Sequence, residues 1–286
     1  MGTALRPLEN GWLPDTPVED SVLRRFVFNQ AQLNELVAKH AAGRVDRTAG
    51  VSLADARSPV AYLNQAVLLQ PLLDADDPTV EVIENFTDAS AHSSTLLSLW
   101  PTPDLQPRGW DLVGHPMLVL RSPGPTPIVD THGVQVEFAR SAGELAAAAQ
   151  VAIDGYPFGE AGLEAGDLFP AEAVRHGLTV RVALVDDEPS AVGNSLVANG
   201  VVNLCLAATL PTARRRGAWR RLVWERVAEA PDIPAIAFTS DDSRPGFERM
   251  GFLPITRLTL WSRSSGSQSL RLGSQKSRIL DDRTPR

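Results

Sequence analysis

The segment from Gly200 to Val227 restricts the fold more than any other part of the chain. It begins with the mostly apolar run GVVNLCLAATL, which is typical of a strand buried on both faces of a sheet. A loop follows, and apolar residues then recur on one helical face, at Trp219, Leu222, Val223 and Val227. We expect a helix over 218–229 that packs on the sheet and ends at Pro231. The segment therefore predicts a strand–loop–helix unit of an α/β (α+β) fold.

The rest of the second half continues this alternation. VQVEFA reads as a strand before a helix over 141–153, and LTVRVALVDD and PSAVGNSLVANG read as two strands joined by a turn. AIAFTS is a further strand, SRPGFERMG is a short helix with Ser243 as its N-cap, and LTLWS is the last strand.

Proline and glycine divide the chain. At 286 residues it exceeds the usual size of a single domain, and RSPGPTPIVDTHG reads as a linker. We predict domains over 1–125 and 126–263 and a disordered tail over 264–286, where the sequence becomes polar and serine-rich. The basic residues of that tail leave contact with a partner as an alternative.

The first half resembles the end of the second. GWDLVGHPMLVLR and GFLPITRLTLWSR share a glycine, an aromatic residue, an apolar strand and a final arginine at an offset of 142 residues (251 minus 109). The same offset places the acidic run with Asp74, Asp76 and Asp77 opposite the arginine loop ARRRGAW. Chance similarity between short β segments remains the alternative to a true repeat.

Composition limits the functional classes. A net charge of -7 argues against a general nucleic-acid binder. The single Cys205 excludes an internal disulfide and reads as a buried structural thiol, and the five histidines lack metal-ligand spacing, so we expect no metal. No stretch approaches ~18 consecutive apolar residues, and the N-terminus has no apolar core of signal-peptide length. These features predict a soluble, cytoplasmic protein that binds neither nucleic acid nor membrane.

The arginine loop predicts an anion site. A glycine at the start of a helix leaves backbone N–H groups free for an anion, and arginines add charge-assisted hydrogen bonds to phosphate. A solvated basic helix end is the alternative, but cations there oppose the helix dipole and therefore require a negative partner. The predicted ligand group is a pyrophosphate.

LAATLPTARRRGAW followed by FTSDDSRPGFERMGF resembles the GNAT acyltransferase superfamily, over roughly residues 134–263. The resemblance implies an acyl-CoA N-acyltransferase fold with a mixed central sheet flanked by helices, here as two GNAT-like domains in tandem with a degenerate first domain. It implies acetyl-CoA as co-substrate and a small-molecule or peptide amine as acceptor, and it leaves a homodimer open. The residues implied to bind the cofactor are Ala207, Ala208 and Thr209 at the pantetheine, and Arg214, Arg215, Arg216, Gly217, Ala218 and Trp219 at the pyrophosphate.

Two residues depart from the family pattern. Trp219 replaces a small residue of the loop, and we expect it on the core face of its helix. Phe247 stands where many members have the tyrosine that protonates the leaving thiolate, so water, Ser240 or Ser243 takes that role.

The remaining site candidates are less well defined. Asn203 is the one strongly polar residue on the strand over 201–210, suited to orient a water or an oxyanion. Tyr156 and Glu160 are candidates for the acceptor site, with a solvated acidic loop as the alternative. His115, before Pro116, is assigned a structural role.

Two function classes remain. The preferred one is an N-acetyltransferase that transfers the acetyl group of acetyl-CoA to a primary amine. The alternative is a non-catalytic module that binds acyl-CoA or another ligand, which Trp219, Phe247 and the absence of an evident base favour.

Overall fold

The structure is a computed structural model that describes residues 21–129, 131, 133–156, 163 and 168–265. Most of the predicted tail and the candidate Glu160 lie outside these residues. The described chain forms two mixed sheets, each covered by helices, as the sequence predicts. None of the described helices combines the length and apolar character that crossing a membrane requires.

The first sheet has six strands in the order β1-β2-β3-β4-β13-β5, and β3 and β4 are its parallel pair. Helices α1 (Val22–His40) and α2 (Pro78–Asp88) belong to this half of the chain. The strands are β1 (Arg44–Arg47), β2 (Val51–Asp55), β3 (Asn64–Leu68), β4 (Ser94–Ser98), β5 (Asp111–Gly114) and, from the far end of the chain, β13 (Thr259–Arg263).

The second sheet has seven strands in the order β12-β6-β11-β10-β9-β8-β7, and β10 and β11 are its parallel pair. Its strands are β6 (Met117–Arg121), β7 (Val134–Phe138), β8 (Leu178–Val185), β9 (Glu188–Ala198), β10 (Val201–Thr209), β11 (Ala235–Thr239) and β12 (Leu253–Arg257). The helices of this half are α3 (Ala142–Gly155), α4 (Ala171–Arg175), α5 (Ala218–Val227) and α6 (Arg244–Arg249).

The two sheets exchange one strand each. β6 comes from the first half but lies between β11 and β12 of the second sheet, and β13 comes from the second half but lies between β4 and β5 of the first. The predicted domain boundary at 125/126 falls between β6 and β7, so each side of it contributes one internal strand to the sheet of the other side.

The internal repeat is structural. At the offset of 142 residues, β6 maps onto β13 (117 plus 142 is 259) and β5 onto the first four residues of β12 (111 plus 142 is 253). The order β1-β2-β3-β4-β13-β5 also matches β8-β9-β10-β11-β6-β12 strand for strand, with the parallel pair in the same place. The structure therefore favours a true repeat over chance similarity.

In the first repeat, an aspartate side chain caps the N-terminus of α2, whereas the equivalent helix of the second repeat, α5, follows the arginine loop and has no side-chain cap. Asp77 caps α2 by accepting from the Thr79 amide at 2.9 Å, and it also accepts from the Leu73 amide at 3.1 Å. Burial raises the pKa of Asp77, but these hydrogen bonds outweigh it and the pKa is lowered. A negative side chain thus occupies the position that a phosphate would need in this repeat.

The apolar cores also cross between the repeats. Residues of α1, β3, β4, β6, β10 and β11 share one buried cluster that includes Phe26, Leu97, Leu118 and Ile236. In addition, the Asn29 amide of α1 donates to the Leu196 and Ala198 carbonyls at 3.3 and 2.8 Å. Helix α1 therefore ties the first repeat to β9 of the second.

Candidate functional site

The strands β10 and β11 separate after a short parallel contact. They pair at Val202 with Ala235 and at Asn203 with Ile236 and not beyond, while β10 continues along β9 to Thr209. A bulge between Cys205 and Ala207 turns β10 at this point, and Leu206 adopts a φ of 28°. The divergence leaves backbone groups of β10 without a strand partner on the β11 side.

A cavity of about 510 Å³ occupies the space between the diverging strands. We call it the inner cavity. Both repeats line it. Val113 of β5 and Leu260 of β13 belong to the first sheet, Tyr62 lies in the short helical turn before β3, and His115 lies between β5 and β6. The residues from the second repeat include Leu204, Cys205, Ala207, Phe238, Ser240, Ser243 and Phe247.

The arginine loop forms a second cavity of about 670 Å³, which we call the outer cavity. Thr209, Arg214, Arg215, Gly217 and Ala218 line it, at the N-terminus of α5. Gly217 is the N-cap with a φ of 87°, and no side chain caps the helix. A Cβ on Gly217 would lie 2.7 Å from Thr131 Cγ2, so this position requires glycine. Arg220 and Arg249 also line this cavity, so the helix N-terminus and four arginines border one open space.

We compared the chain with known protein families, sequences and structures. Neither a protein-family model nor a curated protein sequence matches the chain. A solved GCN5-related N-acetyltransferase from Kribbella flavida is similar, with a TM-score of 0.62 and 21% identity, over 86% of this chain and 97% of that one. This chain has the GNAT fold. A second structure, assigned to the GNAT family as an acetyltransferase and coming from Novosphingobium aromaticivorans, has a TM-score of 0.53 and 16% identity, over 84% of this chain and 99% of that one.

A third similar structure is a conserved protein of unknown function from Staphylococcus epidermidis, with a TM-score of 0.56 and 12% identity. It covers 77% of this chain and 93% of that one. Likeness at such identities establishes the fold, whereas the chemistry depends on the residues of the site.

Of the three loop arginines, Arg216 does not line the outer cavity. It pairs with Asp186, with nitrogen–oxygen distances of 2.6 and 3.0 Å. The hydrogen bond from Arg216 lowers the pKa of the Asp186 carboxyl. The prediction that all three arginines hold the pyrophosphate therefore has structural support for Arg214 and Arg215, while Arg216 is tied to the β8–β9 turn.

Trp219 stands in the wall of both cavities. It packs against the apolar cluster of α5 and α6, as the helical stripe predicts, with its ring edge-on to Phe247 at a centroid distance of 5.0 Å. Its indole also reaches Gly246, where an added Cβ would lie 2.8 Å from Trp219 Cη2. The side chain thus extends from α5 to α6 across the path between the cavities.

Phe247 is buried among aromatic rings. It lies edge-on to Trp219 on one side and to Phe252, at 5.1 Å, on the other. The ring contributes to the inner cavity, but it offers no proton donor. The hydroxyls of Ser240 and Ser243 lie 2.9 Å apart on the same cavity, which places both predicted candidates where a thiolate could receive a proton.

Asn203 lies outside the site that the sequence assigned to it. The side chain is buried, and its amide donates to Gln30 Oε1 of α1 at 3.1 Å. It lines neither cavity, because this residue of β10 faces the helix of the first repeat. Ala208 is likewise buried and lines neither cavity, whereas Ala207 lines the inner one and Thr209 the outer one. Tyr156 lines the inner cavity, and burial raises the pKa of its phenol.

Two buried side chains that the sequence did not assign to the site, those of Cys205 and Arg226, line the inner cavity. Cys205 lines the inner cavity, and burial raises the pKa of its thiol to about 12, which suits the structural role predicted for it. Arg226 also lines this cavity and is fully buried, with its guanidinium against Gly193, where a Cβ would lie 2.8 Å from Arg226 Cζ.

The contacts of Arg226 leave one donor unused. It donates to the carbonyl oxygens of Leu222, Asn194 and Cys205 at 3.0 to 3.2 Å. Its Nη2 has no hydrogen-bond partner among the described residues, and burial lowers the pKa of the guanidinium to about 10. A buried cation beside the bulge of β10 would stabilise negative charge that develops in the cavity. The sequence around Arg226 did not indicate that its side chain is buried, because the glycine that makes room for it, Gly193, lies on β9.

His115, which the sequence assigned a structural role, also lines the inner cavity. It lies in the link between β5 and β6, so the strand exchange brings it to the site. Where the chain is described, no group of three metal-ligating side chains is present.

Proposed function

We propose that this chain is an N-acyltransferase that transfers the acetyl group of acetyl-CoA to a primary amine. The observation that carries the proposal is the outer cavity, where four arginines, two of them in the loop, and an uncapped helix N-terminus border one space beside a strand with unpaired backbone groups. Pyrophosphate is the CoA group that such a site recognises. The pantetheine amides would then pair with β10 around Ala207 and Thr209, and the thioester would enter the inner cavity.

The inner cavity offers the groups that acyl transfer requires. The amine nitrogen forms a bond to the thioester carbon, the carbon–sulfur bond breaks, and a proton passes to the sulfur. The buried guanidinium of Arg226 would stabilise the oxyanion. Because thiols ionise at about pH 8.5, the thiolate can leave before it is protonated. Ser240, Ser243 or a water held by them would stabilise it by hydrogen bonding and relay the proton to it.

The test combines binding with turnover. Calorimetry should show stoichiometric binding of acetyl-CoA, and a thiol-release assay with acetyl-CoA and a panel of primary amines should show turnover with at least one amine. The panel should include small amines, aminoglycosides and peptides with a free N-terminus or lysine. Absence of CoA binding would refute the proposal.

One observation favours a second candidate, a non-catalytic acyl-CoA-binding module. The Trp219 indole stands between the cavity suited to the pyrophosphate and the cavity suited to the thioester. If it stays there when CoA binds, the phosphates are held but the thioester does not reach the acceptor. Binding of CoA without thiol release from any amine would support this candidate.

Trp219→Ala tests whether the indole separates the two cavities. Removing the indole joins the cavities, so acetyl-CoA affinity should rise by about tenfold, equivalent to about 1.4 kcal/mol, since pantetheine no longer displaces the ring from Gly246. Because the side chain is only partly buried, the free energy of unfolding should fall by less than the ~3–5 kcal/mol typical of buried aromatic truncation. CoA titration and thermal unfolding measure both effects. Trp219→Phe, which keeps an aromatic contact with Phe247 but is shorter, should lie between the two. Weaker CoA binding by Trp219→Ala would mean that the indole contacts the ligand instead.

A further inference from the structure

We propose that His115 is the general base that removes the proton from the attacking amine, so that the first repeat supplies a catalytic residue to the site of the second. The inference rests on the proposed N-acyltransferase function. It also assigns a role to the first repeat, where Asp77 caps the helix N-terminus at which a phosphate would otherwise bind.

The fold holds the backbone of His115 at the junction of the two sheets. β5 ends at Gly114 in the first sheet and β6 begins at Met117 in the second, so His115 and Pro116 form the whole link. The His115 carbonyl accepts from Arg257 Nη1 at 2.7 Å, and the Pro116 carbonyl accepts from the Leu258 amide at 2.9 Å. The link is thus fixed by the equivalent region of the second repeat.

The ring is oriented for proton acceptance. His115 Nδ1 lies 3.2 Å from the Leu258 carbonyl oxygen. A carbonyl oxygen only accepts, so Nδ1 carries the hydrogen of the neutral ring and Nε2 keeps its lone pair. His115 lines the inner cavity, and we place this lone pair toward a substrate there.

The other titratable groups of the inner cavity are poor bases near neutral pH. The phenols of Tyr62 and Tyr156 have their pKa raised by burial, and the Cys205 thiol has a pKa of about 12 for the same reason. Arg226 is a cation. Asp241 is paired with Arg257, at 2.9 Å between the closest atoms, and that hydrogen bond lowers the pKa of its carboxyl.

Imidazole is the side chain whose protonation changes between pH 5 and 8. Among the described residues that line the inner cavity, His115 is the only histidine.

The proposed step is balanced. The amine nitrogen attacks the thioester carbon and forms the C–N bond, and its proton passes to His115 Nε2. The C–S bond then breaks, and the thiolate takes up a proton from Ser240, Ser243 or a water. The imidazolium gives its proton to the group that donated, so that this group is restored. The products are the amide and free CoA, and His115 returns to its neutral form.

The test uses His115→Asn in the full-length chain. The Asn side-chain amide can still donate to the Leu258 carbonyl, so the junction is retained while the base is lost. With the amine that gives the highest wild-type rate, kcat/KM at neutral pH should fall by about 10²–10⁴-fold, the usual contribution of a general base. In the wild type, kcat/KM should fall toward acidic pH, because a protonated ring cannot accept the proton of the amine. This acidic limb should disappear in His115→Asn, and the Kd for acetyl-CoA should not change.

Controls separate this proposal from the proposed function. His92→Asn, in the first repeat but away from the inner cavity, should keep both the rate and the pH profile. Added imidazole should restore activity to His115→Ala, which a merely structural role would not produce. An active wild type together with an unchanged pH profile in His115→Asn overturns the assignment of His115 alone. A wild type that binds CoA but turns over no amine overturns both.

Discussion

Acetyl-CoA binding should weaken at least a hundredfold when Arg214 and Arg215 are both replaced by glutamine. Both side chains line the outer cavity at the N-terminus of α5 and have no described carboxylate partner. Each charge-assisted hydrogen bond to a phosphate contributes about 1.5–3 kcal/mol, and loss of two therefore costs about 3–6 kcal/mol, or more than a hundredfold in Kd. Isothermal titration calorimetry with acetyl-CoA at fixed ionic strength measures the effect.

Arg216 provides the matched control within the same loop. It has the same chemistry but is paired with Asp186 at 2.6 Å and does not line the cavity. Arg216→Gln should change the Kd by less than about threefold, within the range of an exposed ion pair. If Arg216→Gln weakened binding as much as the double variant, the phosphate would lie on the other side of the loop and the assigned cavity would be wrong.

The two halves of the chain should fold only together. A protease site inserted in the exposed linker near Ile128, followed by cleavage, should leave one particle in size-exclusion chromatography that unfolds in a single transition. The halves produced separately, 1–125 and 126–286, should lack cooperative unfolding by circular dichroism. Each isolated half lacks one internal strand, and its sheet then exposes two unpaired edges.

The side chains carried by the exchanged strands indicate the size of this effect. Trp261 of β13 is buried in the core of the first repeat and donates to Thr102 Oγ1 at 2.8 Å, and Leu118 and Val119 of β6 are buried against the second sheet. Truncation of one buried tryptophan costs about 3–5 kcal/mol, against a total stability of about 5–15 kcal/mol for an ordinary domain. An insertion of equal length without the cleavage sequence is the control, and a cooperatively folded 1–125 fragment would contradict the prediction.

The sequence allowed the elements and the GNAT fold to be predicted because both depend on local patterns. The apolar run of β10, the stripe of α5 and the glycine at 217 each act within a few residues, and the structure has them where the pattern places them. The strand exchange could not be predicted in this way. β6 and β13 carry the same pattern at the same repeat position, so nothing local distinguishes the sheet that each one joins.

Site residues whose position depends on contacts distant in sequence could not be predicted either. The three loop arginines are equivalent in sequence, and the one that leaves the cavity is selected by Asp186 in a turn 30 residues earlier. Asn203 has the right polarity for a site on β10, but Gln30 of the first repeat takes its amide. His115, before Pro116, was assigned a structural role, and the cavity that it lines is formed by elements of both sheets that meet through the strand exchange.

The exchange of β6 and β13 also bears on how the assembly responds to dilution. A reciprocal exchange of equivalent strands between two copies of a fold is the arrangement of a domain-swapped homodimer. Such a dimer dissociates as its concentration falls, whereas here both copies lie on one polypeptide and the partner is present at the high effective concentration of a short tether. A cavity that takes His115 from one copy and Ser240 from the other therefore stays complete at any protein concentration, including that of a protein present in only a few molecules per cell.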